Sequence, residues 1–319
     1  MSESARIAEL GSNHRLLLFG FWTGDLPDIS RLHFLTAAKA LPRASRYVLL
    51  THNSTVSSSL LQLLGRCGID VIALDLPRLM KEHRLDELLR RTPLSPLWGF
   101  VQRLAKRSEH LSRISGLGHC HPTMGFTPRS NLVLGGPPPL AALLSDYVRI
   151  LVSSIVRTDT LYTDIDFAFT RPLDWIFEHR SFVYSWERRP FANSALMFVT
   201  KNSSIKCGKL LDLMRQEGTG KPWILFSREN CSAYGLEVLP CDRIDPLWSL
   251  ANPSGPKFSE FFTCNDDSEE KLALLKNEFD AIHWHNRWNE VPEPGSPYDL
   301  WLRELMSCPD HEESLSELE

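Results

Sequence analysis

Asp164 and Asp166, in the segment TLYTDIDFAF, are separated by one residue at the end of a predicted strand. Residues two apart on a strand face the same way. The spacing therefore predicts that both carboxylates project together while Ile165 and the flanking aromatics pack elsewhere. Two such charges repel each other unless a cation lies between them. Oxygen ligands suit Mg²⁺ or Mn²⁺, which commonly bridge protein carboxylates to substrate phosphates. The chemistry implied is that of a Lewis acid acting on a diphosphate leaving group. The same spacing also fits a solvated strand end, so the neighbouring residues have to decide.

Ser145, Asp146 and Arg149 precede the pair on a predicted helix, where spacings of three and four place them on one face. A carboxylate and a guanidinium there could bond sugar hydroxyls or a ribose, the Arg also offering charge to a phosphate; an intrahelical ion pair is the alternative. Trp22 and Thr23 follow the first predicted strand, where a Rossmann-like sheet holds a nucleotide base. Trp22 could stack on that base or belong to the core. In AIHWHNRW (residues 281–288), His283 and His285 would face the same side of a strand. His119, Cys120 and His121 supply adjacent rather than convergent ligands, and read as a mobile loop over substrate rather than a metal site. Glu187, Arg188 and Arg189 read as a solvated loop, with an acceptor cleft as the other possibility.

The elements that must position these groups follow from periodicity. Apolar runs at 15–22 and 47–51 flank a helical pattern at 29–41, a βαβ opening. A helix at 57–66 and a strand at 70–74 continue the alternation, which argues for a parallel sheet with helices on its faces and ligands at strand C-terminal ends. Residues 77–115 turn helical and charged, and 116–139 are rich in Gly, Pro, Ser and His, which predicts a helical and loop insertion over 77–139. A helix follows at 140–156, started by a proline run, and then a strand at 160–164. Further strands are predicted at 181–185, 195–200, 237–239 and 281–284, and helices at 205–215, 268–277 and from 298 onward. The acidic, serine-rich tail 309–319 is predicted disordered.

With 319 residues and 43% apolar side chains the chain can bury a real core. A net charge of −4 with mixed signs gives no sign of a nucleic-acid stripe or polybasic membrane patch. The N-terminal segment lacks the apolar core of a secretory signal, and the most apolar stretch, 132–156, is broken by prolines, Asp146 and Arg149, so no transmembrane segment is expected. Seven cysteines without a CxxC spacing predict reduced thiols and a cytoplasmic location, with peripheral membrane association left open.

SDYVRILVSSIVRTDTLYTDIDF (residues 145–167) resembles the Ser-Asp-x-x-Arg … Tyr-x-Asp-x-Asp segment of retaining glycosyltransferases with a DXD sugar-binding region. That group includes α-1,6-mannosyltransferases, α-1,4-galactosyl- and GlcNAc-transferases, capsular-polysaccharide transferases and the glucosylating domains of clostridial toxins. FWTGDLPD (21–28), YVLLTHN (47–53), FANSALMFVTKNSS (191–204), LEVLPCDRIDPLW (236–248) and AIHWHNRW (281–288) are similar to further family segments, in family order. Thr158-Asp159-Thr160 stands where the family has Gly-Gly, and the interval from Asp146 to Asp164 is about two residues longer than usual.

The resemblance implies an α/β GT-A fold, Rossmann-like and mostly parallel, as a single domain over 1–308. It implies transfer of a hexose or N-acetylhexosamine from a nucleoside diphosphate sugar to a hydroxyl, with retention. The acceptor could be a glycan, a lipid-linked glycan or a protein. Asp164 and Asp166 would hold Mn²⁺ or Mg²⁺, joined by His283 with His285 as its rival. Asp146 and Arg149 would bind the sugar, Asn193 would lie beside sugar or acceptor, and Asn286 and Trp288 would close over the leaving group. A metal-dependent phosphohydrolase or nucleotidyltransferase, and an inactive carbohydrate-binding protein of the same fold, are the alternatives.

Overall fold

Side-chain alternation in strand β1 (Leu16–Asp25) divides the molecule into two cores. Leu16, Leu18 and Trp22 enter one; Leu17, Phe19 and Phe21 enter the other. Strand β2 (Ser45–Thr55) repeats the division, with Tyr47 and Leu49 on the first side and Val48 and Leu50 on the second. Strands buried on both faces read as unbroken apolar runs, and this is why RLLLFGFW and YVLLT stand out in the sequence. The computed structural model describes residues 1–86, 139–186, 189–206, 208–218, 222–247, 257–285, 287–288 and 290–307.

Helices cover both faces. Helices α1 (Glu3–Ala8), α2 (Arg31–Ala40) and α3 (Ser58–Arg66) are followed by strand β3 (Ile69–Ala73), α4 (Leu76–Glu82) and α5 (Pro139–Ile155). Strands β4 (Asp159–Thr163), β5 (Phe167–Phe169), β6 (Phe182–Ser185) and β7 (Ala192–Val199) come next. Helices α6 (Lys209–Glu217), α7 (Pro222–Leu225) and α8 (Arg228–Ala233) lead to β8 (Glu237–Leu239). Helices α9 (Phe258–Phe262) and α10 (Ser268–Glu278), strand β9 (Ala281–His283) and α11 (Pro297–Ser307) complete the order. Leu32 of α2, Leu60 of α3, Leu275 of α10 and Trp301 of α11 pack into the first core; Ile7 of α1, Leu79 of α4, Val148 of α5 and Leu210 of α6 into the second.

The central sheet has seven strands in the order β3-β2-β1-β4-β7-β6-β8. Neighbours run parallel except β7, which is antiparallel to both β4 and β6. The α/β expectation of a mostly parallel sheet clad by helices is met, and the order β3-β2-β1-β4 is that of a Rossmann-like half. A second, two-stranded sheet pairs β5 with β9 antiparallel.

Several boundaries differ from expectation. Strand β1 continues to Asp25, so Trp22 and Thr23 lie within it rather than after it. Strand β4 stops at Thr163, which leaves both Asp164 and Asp166 in a turn. Residues 3–8 form a helix whose Ile7 is buried, although the segment reads as polar. The start of the predicted 77–139 insertion is α4; residues 87–138, with His119, Cys120 and His121, lie outside the described residues, as do Glu187, Arg188 and the tail 309–319. Among the described residues, no helix is long and apolar enough to cross a membrane.

Candidate metal and donor site

The two aspartates converge because of a turn, not because of strand alternation. Asp164 still donates its backbone N–H to the Ala195 carbonyl at 2.8 Å, the last rung between β4 and β7. Ile165 then turns into the core, 1% exposed. It seats over Gly20 of β1, where a Cβ atom would come within 3.1 Å of the Ile165 Cγ2 methyl. Burying that side chain contributes about 1.5–3 kcal/mol and ties the turn to the sheet. Beyond it the Asp166 carbonyl accepts from Trp284 N–H at 3.0 Å, and β5 begins its pairing with β9.

Tyr162 bonds Asp164 directly, which corrects the expectation that the flanking aromatics pack elsewhere. Its hydroxyl donates to Asp164 Oδ1 and lies 2.6 Å from Ser145 Oγ. Arg149 donates to the same Asp164 oxygen at 3.1 Å, to Ser145 Oγ at 3.0 Å and to Ser194 Oγ at 2.9 Å, and pairs with Asp146 at 3.2 Å. The intrahelical ion pair and the reach to the DXD turn are thus both present. Burial pushes the Asp146 carboxyl up to about 7, against the pull of Arg149 and helped by the Asp164 charge. Burial also raises Asp164, opposed by Arg149 and reinforced by Asp166. Burial disfavours the Arg149 charge, but Asp164 and its neighbours outweigh this and hold its pKa above the ordinary value.

His283 arrives through the small sheet. In the β5–β9 register it stands opposite Phe167, which sets its ring beside Asp166. Its Nε2 lies 3.2 Å from Asp166 Oδ1, and its Nδ1 lies 3.0 Å from the Tyr184 hydroxyl. That hydroxyl accepts from Asn193 Nδ2 at 2.7 Å, while Asn193 Oδ1 accepts from Ala195 N–H at 2.9 Å. Burial alone would lower the His283 pKa; the Asp166 and Asp245 carboxylates override it and raise the value to about 10. His285 lies beyond the end of β9 with φ of +44°, so the strand-alternation reading of the His-x-His segment does not hold. Its ring nonetheless stacks on His283 at 3.7 Å between centroids, and its Nε2 is 2.7 Å from Asp245 Oδ2.

One donor atom each from Asp164, Asp166 and His283 fall within 4.8 Å of one another, as do those of Asp245, His283 and His285. The first set fits a divalent cation. Two carboxylates and an imidazole are hard and borderline donors suited to Mn²⁺ or Mg²⁺. The buried His283 Nε2 also makes no hydrogen bond among the described residues, its contact with Asp166 being that of an ion pair. Oxygen donors must be deprotonated and imidazole neutral to bind, so the proton on His283 is what a cation would displace.

Asp146, Arg149, Asp164, Asp166, Asn193 and His283 therefore form one connected group around the β4–β5 turn. Trp22 is buried, donates Nε1–H to the Asp25 carbonyl at 2.9 Å and packs edge-on against Trp288 at 4.9 Å. Thr23 is half-buried next to it, and Asn286 lies outside the described residues. Sequence reasoning missed Asp245, Tyr184 and the buried His33, whose Nδ1 lies 2.8 Å from the Phe167 carbonyl and whose pKa burial lowers to about 4. The only signal for Asp245 was a lone acid inside the apolar stretch RIDPLW; Tyr184 carried none, since a tyrosine in a strand is ordinary core material.

No protein-family model matches the chain, and none of the curated proteins compared with it does. Solved structures are similar to it at low identity. The apo structure of the bifunctional glycosyltransferase WbbM shares 9% identity over 96% of this chain and 52% of its own, with a TM-score of 0.46. The glycosyltransferase GlyE of Streptococcus pneumoniae shares 12% over 95% and 64%, at 0.45. The galactosyltransferase LgtC, in complex with donor and acceptor sugar analogs, shares 10% over 94% and 99%, at 0.43. The chain thus spans between half and two thirds of the length of the first two.

Proposed function

We propose that the chain is a metal-dependent glycosyltransferase of GT-A type, transferring a hexose or N-acetylhexosamine from a nucleoside diphosphate sugar to a hydroxyl, with retention. The observation that carries the reading is the convergence of Asp164, Asp166 and His283, from two distant segments, beside a buried Arg149 bonded to the same Asp164. Asp164, Asp166 and His283 would hold Mn²⁺ or Mg²⁺, which would supply positive charge to the departing diphosphate. Arg149 and Asp146 set the position of Asp164 and stand next to the transferred sugar. Asn193 lies beside sugar or acceptor, Thr23 lies toward the nucleotide at the C-terminal end of β1, and the packed Trp22–Trp288 pair stands behind it on the leaving-group side. Retention assigns no protein nucleophile: the acceptor attacks on the face the diphosphate leaves, and the leaving oxygen takes its proton.

The test is thermal unfolding across a panel of nucleoside diphosphate sugars with Mn²⁺, since a ligand of the native state raises its stability. One donor is expected to stabilise the wild type strongly in the presence of metal. Asp166→Ala is expected to abolish that shift while the apo variant still unfolds cooperatively. A shift unchanged in Asp166→Ala overturns the metal role. Donor cleavage at equal rates with and without any acceptor would favour a phosphohydrolase instead.

A further inference from the structure

Asp245 is fully buried, and among the described residues its carboxylate is ion-paired with two histidines. A buried carboxylate needs partners that compensate its lost hydration. Here one oxygen, Oδ2, does two things. It lies 2.7 Å from His285 Nε2 and 3.7 Å from His283 Nδ1. The His283 ring is also clamped on both faces, by Phe167 at 4.2 Å and 12° and by His285 at 3.7 Å and 30°. Its Nδ1 edge meets the Tyr184 hydroxyl, itself held by Asn193, and its Nε2 edge meets Asp166.

We propose that Asp245 is a positioning residue: with His285 as a stacked plate and Tyr184 at the ring edge, it holds the His283 imidazole with Nδ1–H toward Tyr184 and with Nε2 turned to Asp166. The inference rests on the metal reading of the site. The Nδ1 edge faces the Tyr184 hydroxyl, which already accepts from Asn193, with the Asp245 carboxylate behind it, so that edge keeps its N–H; the Nε2 edge faces Asp166, and its proton is the one a cation displaces. Outer carboxylates that fix a liganding histidine in this way are a general feature of metal sites. The arrangement also assigns the two histidines different roles. His283 is the ligand, and His285 is a support, because its Nε2 is already bonded to Asp245. The left-handed backbone at His285, unusual for a side chain with a Cβ, is what brings its ring over His283.

Asp245, His283 and His285 could also be read as a second cation site, because their donor atoms converge. The bond between Asp245 Oδ2 and His285 Nε2 and the Tyr184 contact on His283 Nδ1 give the two histidine edges nearest Asp245 protein partners, which favours positioning over ligation, although Asp245 Oδ1 itself makes no hydrogen bond among the described residues.

The experiment uses the whole chain with Mn²⁺ alone, reading binding from the electron-paramagnetic signal of the free ion. In parallel, ¹⁵N-histidine-labelled protein without metal is read for a slowly exchanging Nδ1–H, assigned to His283 by its loss in His283→Gln. Asp245→Asn is expected to weaken Mn²⁺ binding about 10- to 100-fold and to lose the protected Nδ1–H. Asp245→Glu is expected to recover part of both, and His285→Phe, which keeps a plate, to retain Mn²⁺ binding to within about threefold. Wild-type affinity and an unchanged Nδ1–H in Asp245→Asn overturn the proposal. So does a second bound Mn²⁺, or a loss in His285→Phe as complete as in Asp166→Ala. If the wild type binds no Mn²⁺ but shows an Asp245-dependent Nδ1–H, the metal reading falls and the positioning role stands. Should Asp245→Asn fail to fold, Tyr184→Phe with His285→Phe reads the same two signals.

Discussion

His283 places its Nε2 3.2 Å from Oδ1 of Asp166, although the two residues lie far apart in the chain. The small β5–β9 sheet makes the contact: Phe167, the residue after Asp166, is the register partner of His283, and Trp284 N–H bonds the Asp166 carbonyl. The site is therefore closed by backbone pairing as much as by side-chain attraction.

Removing a first ligand should cost more than removing a support. Asp166→Asn keeps the shape of the side chain but loses its charge, and Mn²⁺ affinity is expected to fall by more than the 10- to 100-fold typical of outer partners. Titration calorimetry with MnCl₂ checks this; a loss of threefold or less would remove Asp166 from the ligand set.

Arg149 is enclosed with Asp146 and Asp164 on it. Arg149→Met should destabilise the fold by about 3 kcal/mol, because it strands the buried Asp146 carboxylate, and in part the half-buried Asp164, without their counter-charge. Adding Asp146→Asn should return part of the loss. Urea unfolding of both variants measures it, and an Arg149→Met protein as stable as wild type would contradict the ion-pair network.

The pH dependence of the metal-free protein follows from His283. Its folded-state pKa, about 10, lies above the ordinary imidazole value of 6.5 that stands for the unfolded chain. The folded state thus holds the proton more tightly. The stability this adds is fully present below pH 6.5 and is lost as pH rises through about 10. A cation displaces the same proton, so apparent Mn²⁺ affinity should climb by up to about tenfold per pH unit as pH rises toward about 10. Mn²⁺ titrations at several pH values read the slope. A flat profile would mean that His283 is not a ligand.

Gly20 leaves room for Ile165 under the aspartate turn. Gly20→Val should push that turn away from the sheet at a cost of about 1–3 kcal/mol and weaken Mn²⁺ binding. Thermal unfolding together with the Mn²⁺ titration tests it, and a variant with unchanged metal affinity would show that the turn does not depend on this contact.

Much of the architecture was legible because strands buried on both faces leave continuous apolar runs. Strands β1, β2, β4 and β7 were all found where such runs occur, and α5 where apolar residues recur at helical spacing. β5 was not found, since three residues of FAF carry no periodicity. The N-terminal helix was hidden because a six-residue helix buries too little to leave an apolar stripe.

For the site, local patterning identified Asp164, Asp166, Asp146 and Arg149 as neighbours, since helical spacing and a two-residue interval are properties of consecutive residues. The interval was right and its reason wrong: a turn anchored by Ile165 brings the carboxylates together, not a strand face. The sequence by itself determined the two-sided sheet, the acidic pair and the helix that reaches it, because each depends on contacts a few residues long. Only the tertiary structure decided which histidine faces Asp166, that Tyr184 and Asn193 stand behind it, and that a buried Asp245 holds the pair. Those choices depend on strand register and on a left-handed residue at 285, and neither leaves a mark in the spacing of residue types.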